Sequence, residues 1–430
     1  MNTPNFIKNN LLLKVTSAST LLVIIRMFFS LLSQKALAIL IGAEGIALVG
    51  NLKNVVSFFD QFSVLGTSNG LVKYISEYKD DKKELNKLFS TTFVFTASAT
   101  LISFIILLFF SKTLNDAIFG SEKDFTYIFK ILSFVIPFMG INAILNALLN
   151  GLSAYKLYSK ISLLTIVISA FLIVLLTLNK GIKGSLLAIS VIPLIQFFCY
   201  LIFFSKEYKS YINFQKIAFN LSFKNQLLSY SFMTVIVILF INITDVAIRN
   251  LIERNLSIVD AGYWTAMTSI SKSYMQFSAA IFPLYILPIY AKITNTFDFR
   301  QEVIKIYKML LPLIIGGMSL VFLFRDLIIK VLYTTDFLEM GNLFKWQLMG
   351  DLVKFIAIVI AYQFLAKKQI GYFIFTEILS VLLFYVFSCY FINIYGTEGV
   401  VIAHFVRYVL YLFVVLYILR HNFIGKNRDL

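Results

Sequence analysis

The residues of this chain best able to do chemistry are basic groups set inside otherwise apolar stretches: Arg26, Lys35, Lys53, Lys272, Lys354 and Arg407. A cation at the centre of a bilayer costs roughly 2.5–3.5 kcal/mol, so six of them turned toward lipid would cost roughly 15–20 kcal/mol, more than the stability of most folds. They are therefore expected to face a wet or protein-lined interior. Arg249 joins the set if its helix lies deep. Four carboxylates accompany them, Asp60, Asp245, Asp351 and Glu377. Asp245 precedes Arg249 by one helical turn and Asp351 precedes Lys354 by one, spacings that put each pair on one helix face. Such pairs have a purely structural reading, local neutralisation that holds helices together. As a set, however, the cations outnumber the acids, which predicts an anionic ligand. Arg and Lys suit phosphate oxygens as fork and point charge respectively. His404, one turn before Arg407, reads either as a proton-sensitive coupling group, together with Asp60, Asp245, Asp351 and Glu377, or as a hydrogen-bonded core histidine.

Positioning such groups requires helices. Ser19, Arg26, Ser30 and Ser33 fall within one narrow arc at about 100° per residue, as do Lys53, Ser57, Asp60 and Thr67. Lys35 lies nearly opposite Arg26 on the same helix, so a straight helix cannot aim both at one cavity, and one is expected to snorkel or pair elsewhere. Of the 430 residues, 59% are hydrophobic and 14% charged, against roughly 45–50% and 25% in a soluble domain. Apolar runs long enough to cross a hydrocarbon core of about 30 Å recur throughout. The fold class is thus all-α integral membrane. Twelve spans are predicted: 14–41, 47–74, 88–111, 125–152, 158–178 and 184–204, then 226–251, 259–291, 303–324, 343–366, 371–394 and 399–419. The charged linker 206–224 divides residues 1–205 from 225–430, a six-helix bundle on each side.

Loop charges set the expected orientation. With this count, 22 of the 38 Lys and Arg residues fall in one set of loops and tails and nine in the other, which places both termini in the cytoplasm. The net charge of +16 therefore reflects topology rather than nucleic-acid binding. A register of 215 residues aligns Gly181, Gly184 and Ala188 with Gly396, Gly399 and Ala403, and Gln61, Phe62 and Ser63 with Gln276, Phe277 and Ser278. This predicts two parallel six-helix copies related by an axis along the membrane normal, around a central cavity. Pro283 and Pro288 mark a hinge or a fixed kink in the eighth span.

Several enzyme classes lack their signatures. Cys199 and Cys389 sit in apolar segments and suggest neither disulfide nor thiolate metal site. There is no phosphate-binding lysine motif of the Walker type and no acid pair on a large external loop, so neither cofactor, metal nor catalytic residue is expected. Two rivals stay open: a cation-coupled multidrug antiporter, which would favour carboxylates inside, and a lipid-linked glycan polymerase.

Several stretches resemble the Wzx family of O-antigen and enterobacterial common antigen translocases. They are Gly262 to Trp264, Ser269 to Phe277, Leu287 and Pro288, Leu343 to Lys354 (with Trp346, Gly350 and Asp351), Asn69 to Tyr74, and Ala366 to Glu377. The resemblance spans nearly the full chain. It implies a twelve-helix, two-lobed member of the multidrug/oligosaccharidyl-lipid/polysaccharide exporter superfamily in the bacterial inner membrane. Such a carrier moves an undecaprenyl-diphosphate-linked oligosaccharide from the cytoplasmic to the periplasmic leaflet, among membrane lipids and beside a polysaccharide polymerase and a chain-length regulator. It also implies that Arg26, Lys35, Lys53, Arg249 and Lys354 contact the ligand. Lys272 departs from the family pattern, which has an acid there, and the His404 and Arg407 pair is not a family feature.

Overall fold

A computed structural model describes residues 11–204 and 219–423. Most of the expected linker, 205–218, and the Arg26 side chain lie outside the described residues. Every regular element among those described is helical. In the first half these are α1 (Leu11–Phe62), α2 (Ser68–Glu77), α3 (Lys82–Phe109), α4 (Ser111–Phe119), α5 (Thr126–Gly151) and α6 (Tyr155–Phe204). In the second they are α7 (Lys224–Asn255), α8 (Ile258–Ile281), a π-helical turn Phe282–Ile286, α9 (Leu287–Lys292), α10 (Thr296–Leu323), α11 (Arg325–Leu332), a 3₁₀ turn Thr335–Asn342, α12 (Leu343–Ala366), α13 (Ile370–Tyr395), α14 (Thr397–Ile418) and α15 (Arg420–Phe423).

Nine helices among the described residues are long and apolar enough to cross a membrane. Two of these are double, because α1 bends at Gly42 and α6 at Gly181. Dividing them and adding the interrupted run 258–292 gives twelve spans. Their outward faces are apolar: Phe109 is 74% exposed and Leu313 72%, a surface only lipid can cover. Buried hydroxyls are returned to their own helices, Thr92 donating to the Leu88 carbonyl and Thr177 to that of Ile173, which keeps polar groups satisfied where water is absent.

The chain forms two compact units, one of Met1–Ile41 with Asn51–Ile238, the other of Gly42–Gly50 with Leu239–Leu430. The core of the first gathers Leu71, Leu88, Phe89 and Leu148 around Tyr200; that of the second gathers Phe282, Tyr290, Phe299, Phe355 and Phe364.

The structure departs from the expected spans at two points. The second span breaks after Phe62, where Leu65 and Gly66 take φ of 50° and 66° and the Ser63 and Thr67 hydroxyls cap nearby carbonyls at 2.7 Å. The eighth is interrupted by the π-turn that contains Pro283, which lacks the N–H needed to continue the ladder.

The 215-residue register recurs in the elements themselves. Helix α3 corresponds to α10 within one residue, the first arm of α6 to α13, and its second arm to α14. Gly181 and Gly396, equivalent in this register, share one left-handed conformation, φ 54° and ψ −135° against φ 58° and ψ −139°. At each of these bends a glycine three residues on packs against the helix just ended. A Cβ on Gly184 would lie 1.9 Å from the Leu176 oxygen, and one on Gly399 would lie 2.2 Å from the Phe391 oxygen. Only glycine meets both demands.

Candidate functional site

In the second unit α12 and α13 pack on α14, and α8 packs on α12. Gly350 on α12 lets α14 approach so closely that an added Cβ would stand 2.3 Å from His404 Cδ2. Beside this crossing lies a cavity of about 140 Å³ whose walls include Asp245, Lys272, Asp351, Lys354, Glu377, His404 and Arg407. Seven of the twelve residues singled out in the sequence thus meet at one place, drawn from α7, α8, α12, α13 and α14.

Asp351, fully buried, anchors the arrangement. Its Oδ2 accepts from Ser271 Oγ and Tyr274 OH at 2.5 Å each and from Gln347 Nε2 at 3.2 Å. Its Oδ1 faces His404 Nε2 at 3.0 Å. Arg407 Nη2 lies 3.2 Å from His404 Nδ1. Guanidinium groups only donate, so Nδ1 accepts, and the imidazole proton sits on Nε2 and is given to Asp351. His404 therefore bridges Asp351 and Arg407. The expected Asp351–Lys354 pair does not form, since the carboxylate is engaged by α8 and α14 instead.

Lys354 makes no hydrogen bond or ion pair among the described residues; its ammonium sits 5.6 Å above the Tyr408 ring. Arg407 also lies over aromatic faces, 4.2 Å from Phe384 and 4.4 Å from Tyr408. It donates to the Tyr408 hydroxyl at 3.1 Å, and its buried Nε has no partner. Both cations are held by rings rather than by carboxylates, which leaves N–H groups for an anion. Glu377 accepts from Tyr411 OH at 3.1 Å. Lys272 bridges to Asp245 at 3.1 Å with its side chain 64% exposed. Formally, three carboxylates face three cations here, so this cavity carries no net positive charge; the cationic excess of the sequence lies outside it.

The remaining candidates sit elsewhere. Arg249 is buried, donates to Thr265 Oγ1 at 2.9 Å and to the Asp245 carbonyl at 3.3 Å, and lies over Trp264, contacts that tie α7 to α8. Lys35 is half-buried, Lys53 exposed and Asp60 half-buried, all within the first unit. Sequence reasoning missed Ser271, Tyr274, Gln347 and Tyr408. Their signal was the same spacing used for the charges: Ser271 and Tyr274 are three apart, Gln347 and Asp351 four.

Twelve spans in two six-helix sets, the second enclosing a charged cavity, are the architecture of a membrane carrier. Solved structures share it. An inward-facing multidrug resistance MATE family transporter of the MOP superfamily superimposes with a TM-score of 0.75 at 13% identity, covering 92% of this chain and 95% of that one. The lipid II flippase MurJ, in an inward closed conformation, does so with a TM-score of 0.70 at 16% identity, covering 94% and 87%. The chain belongs to the polysaccharide biosynthesis protein family, whose profile matches residues 12–294. It is 27% identical over 403 residues to the lipid III flippase of Escherichia coli strain K12, covering 92% of this chain and 94% of that protein.

Proposed function

We propose that this protein is a flippase for a lipid-linked oligosaccharide, a surface-polysaccharide unit such as O-antigen carried on undecaprenyl diphosphate. In this reading it works in the bacterial inner membrane with both termini cytoplasmic. The halves 1–205 and 225–430, joined by 206–224, alternate access so that the glycan passes from the cytoplasmic to the periplasmic leaflet. A polymerase and a chain-length regulator would then receive it.

The observation that carries this reading is the pair Lys354 and Arg407, two cations inside a membrane-embedded cavity with donors to spare. Diphosphate oxygens are acceptors suited to those donors. Family membership and the flippase relative agree with it. The MATE likeness raises the antiporter alternative, in which a cationic drug binds carboxylates. Here Asp351 accepts from four donors, Asp245 is bridged by Lys272 and Glu377 accepts from Tyr411, so each cavity carboxylate already has a partner.

The test is reconstitution into liposomes with labelled undecaprenyl-diphosphate oligosaccharide, following its exposure to an impermeant probe. Each cation contact removed should cost about 1.5–3 kcal/mol, roughly 10–150-fold in apparent affinity, in Lys354→Ala and Arg407→Ala. Arg26→Ala and Lys53→Ala should impair transport while leaving insertion intact. Unchanged flipping in all four variants refutes the cationic path, and movement of a cationic dye in place of the lipid refutes the flippase.

A further inference from the structure

The second unit carries an apolar groove of about 450 Å³ on its outer face, between α10 and α12. Ile315, Leu323 and Met349 are exposed along it. It runs from Ile315 to Leu323 on α10 and from Leu352 back to Lys345 on α12, about 12 Å at 1.5 Å per helical residue. The hydrocarbon core of a bilayer is about 30 Å thick, so the groove stays within one leaflet. Because α10 and α12 are successive long helices joined through α11, Leu323 and Lys345 share one end of it.

The register of 215 shows why the groove is open. In it α3 corresponds to α10 and α5 to α12. Where the groove has Ser319 and Met349, the first half has Phe104 and Phe134, whose rings meet edge to face at 5.3 Å. The buried Ser103 and Ser133 correspond to Met318 and Leu348, which also line the groove. Helices α3 and α5 meet so closely that a Cβ on Gly140 would lie 2.5 Å from Thr96 Cγ2; the equivalent residues here are Phe355 and Leu311. Small residues that let one pair of helices close stand opposite large ones in the other, and the two rings that cover the seam are absent. An unfilled groove forfeits contacts on one side, which a hydrocarbon chain restores.

One end of the groove is basic. Lys345 is the charged group of its lining among the described residues; the ammonium lies 5.1 Å over the Trp346 ring and makes no ion pair among those residues. Arg325, just past the end of α10, lies 4.6 Å over the ring of Phe322, a groove residue, and donates to its carbonyl at 3.2 Å. Asp326 stands 3.6 Å from Arg325 with its side chain 63% exposed, a pair that water screens. Two cations at the membrane surface above a short apolar channel match a lipid with an anionic head and a chain confined to one leaflet. An undecaprenyl chain outruns the channel.

We propose that this groove binds one acyl chain of a net-anionic glycerophospholipid from the surrounding bilayer, with its phosphate held by Lys345 and Arg325. The groove shares no lining residue with the charged cavity, and the proposal does not depend on which ligand is transported.

The test is native mass spectrometry of the full chain in detergent, titrated with dioleoyl phosphatidylglycerol, dioleoyl phosphatidylcholine or bare undecaprenyl diphosphate. Phosphatidylglycerol should fill a single tight site, about tenfold tighter than phosphatidylcholine. Lys345→Gln, a change at an exposed side chain, should remove about fivefold of that preference. Ser319→Phe with Met349→Phe, which installs the edge-to-face pair of the first half, should abolish the tight site in protein whose thermal unfolding is not lowered; should that double variant unfold, Lys345→Gln decides alone. Equal binding of the two phospholipids, or a preference that Lys345→Gln leaves intact, overturns the site. Undecaprenyl diphosphate displacing phosphatidylglycerol from it overturns the phospholipid as occupant.

Discussion

Replacing Gly350 by alanine adds one methyl group at the tightest point of the α12–α14 crossing. The new Cβ would lie 2.3 Å from His404 Cδ2 and 3.1 Å from Nε2, whereas carbon atoms settle at about 3.5–4.0 Å. The ring must therefore retreat by on the order of 1 Å. Its 3.0 Å bond to Asp351 cannot survive that, because N–H···O bonds fade beyond about 3.2 Å. Losing a hydrogen bond to a charged group costs about 1.5–3 kcal/mol and overpacking about 1–3 kcal/mol, while alanine returns about 1 kcal/mol of helix propensity. The net expectation is a destabilisation of about 2–5 kcal/mol. SDS-driven unfolding in mixed micelles, followed by the fluorescence of Trp264 and Trp346, measures it. Gly371→Ala is the reference, since nothing lies within 4 Å of a Cβ there, and it should be neutral or slightly stabilising. Much of the penalty should disappear in a His404→Ala background. If Gly350→Ala matches Gly371→Ala, the close crossing and the His404–Asp351 bond beside it are wrong.

Two further outcomes follow from the geometry. Gly181→Ala and Gly396→Ala should each destabilise by about 1–2 kcal/mol for a left-handed backbone, and by similar amounts, in the same micelle titration; a large difference would argue against equivalent bends. Lys272→Ala should cost less than about 1 kcal/mol, because its ion pair with Asp245 is solvent-screened, and a large loss of stability would show the pair to be shielded.

The spans were legible because lipid demands about twenty apolar residues whatever the tertiary contacts. The duplication was legible for a related reason: Gly181 and Gly396 answer a backbone requirement no other residue meets, so their spacing survived where side chains diverged. Partner choice was not legible. Asp351 and Lys354 share a helix face, yet Asp351 bonds to Ser271, Tyr274 and His404, residues distant in the chain that only packing brings near. Spacing along one helix gives the faces, and crossings such as Gly350 with His404 decide which faces meet. The break after Phe62 was hidden because Leu65, an apolar residue within an apolar run, adopts a conformation that hydropathy does not register.

The bends at Gly181 and Gly396 also set limits for experiments on the living cell. Each reverses the chain with essentially no loop, so there is no slack for an epitope tag, a reporter fusion or a protease site. Insertions at 181 or 396 should abolish expression rather than report sidedness. Topology mapping will have to use the longer turns, such as 120–125 with Lys123, where foreign residues can be housed without pulling two spans apart.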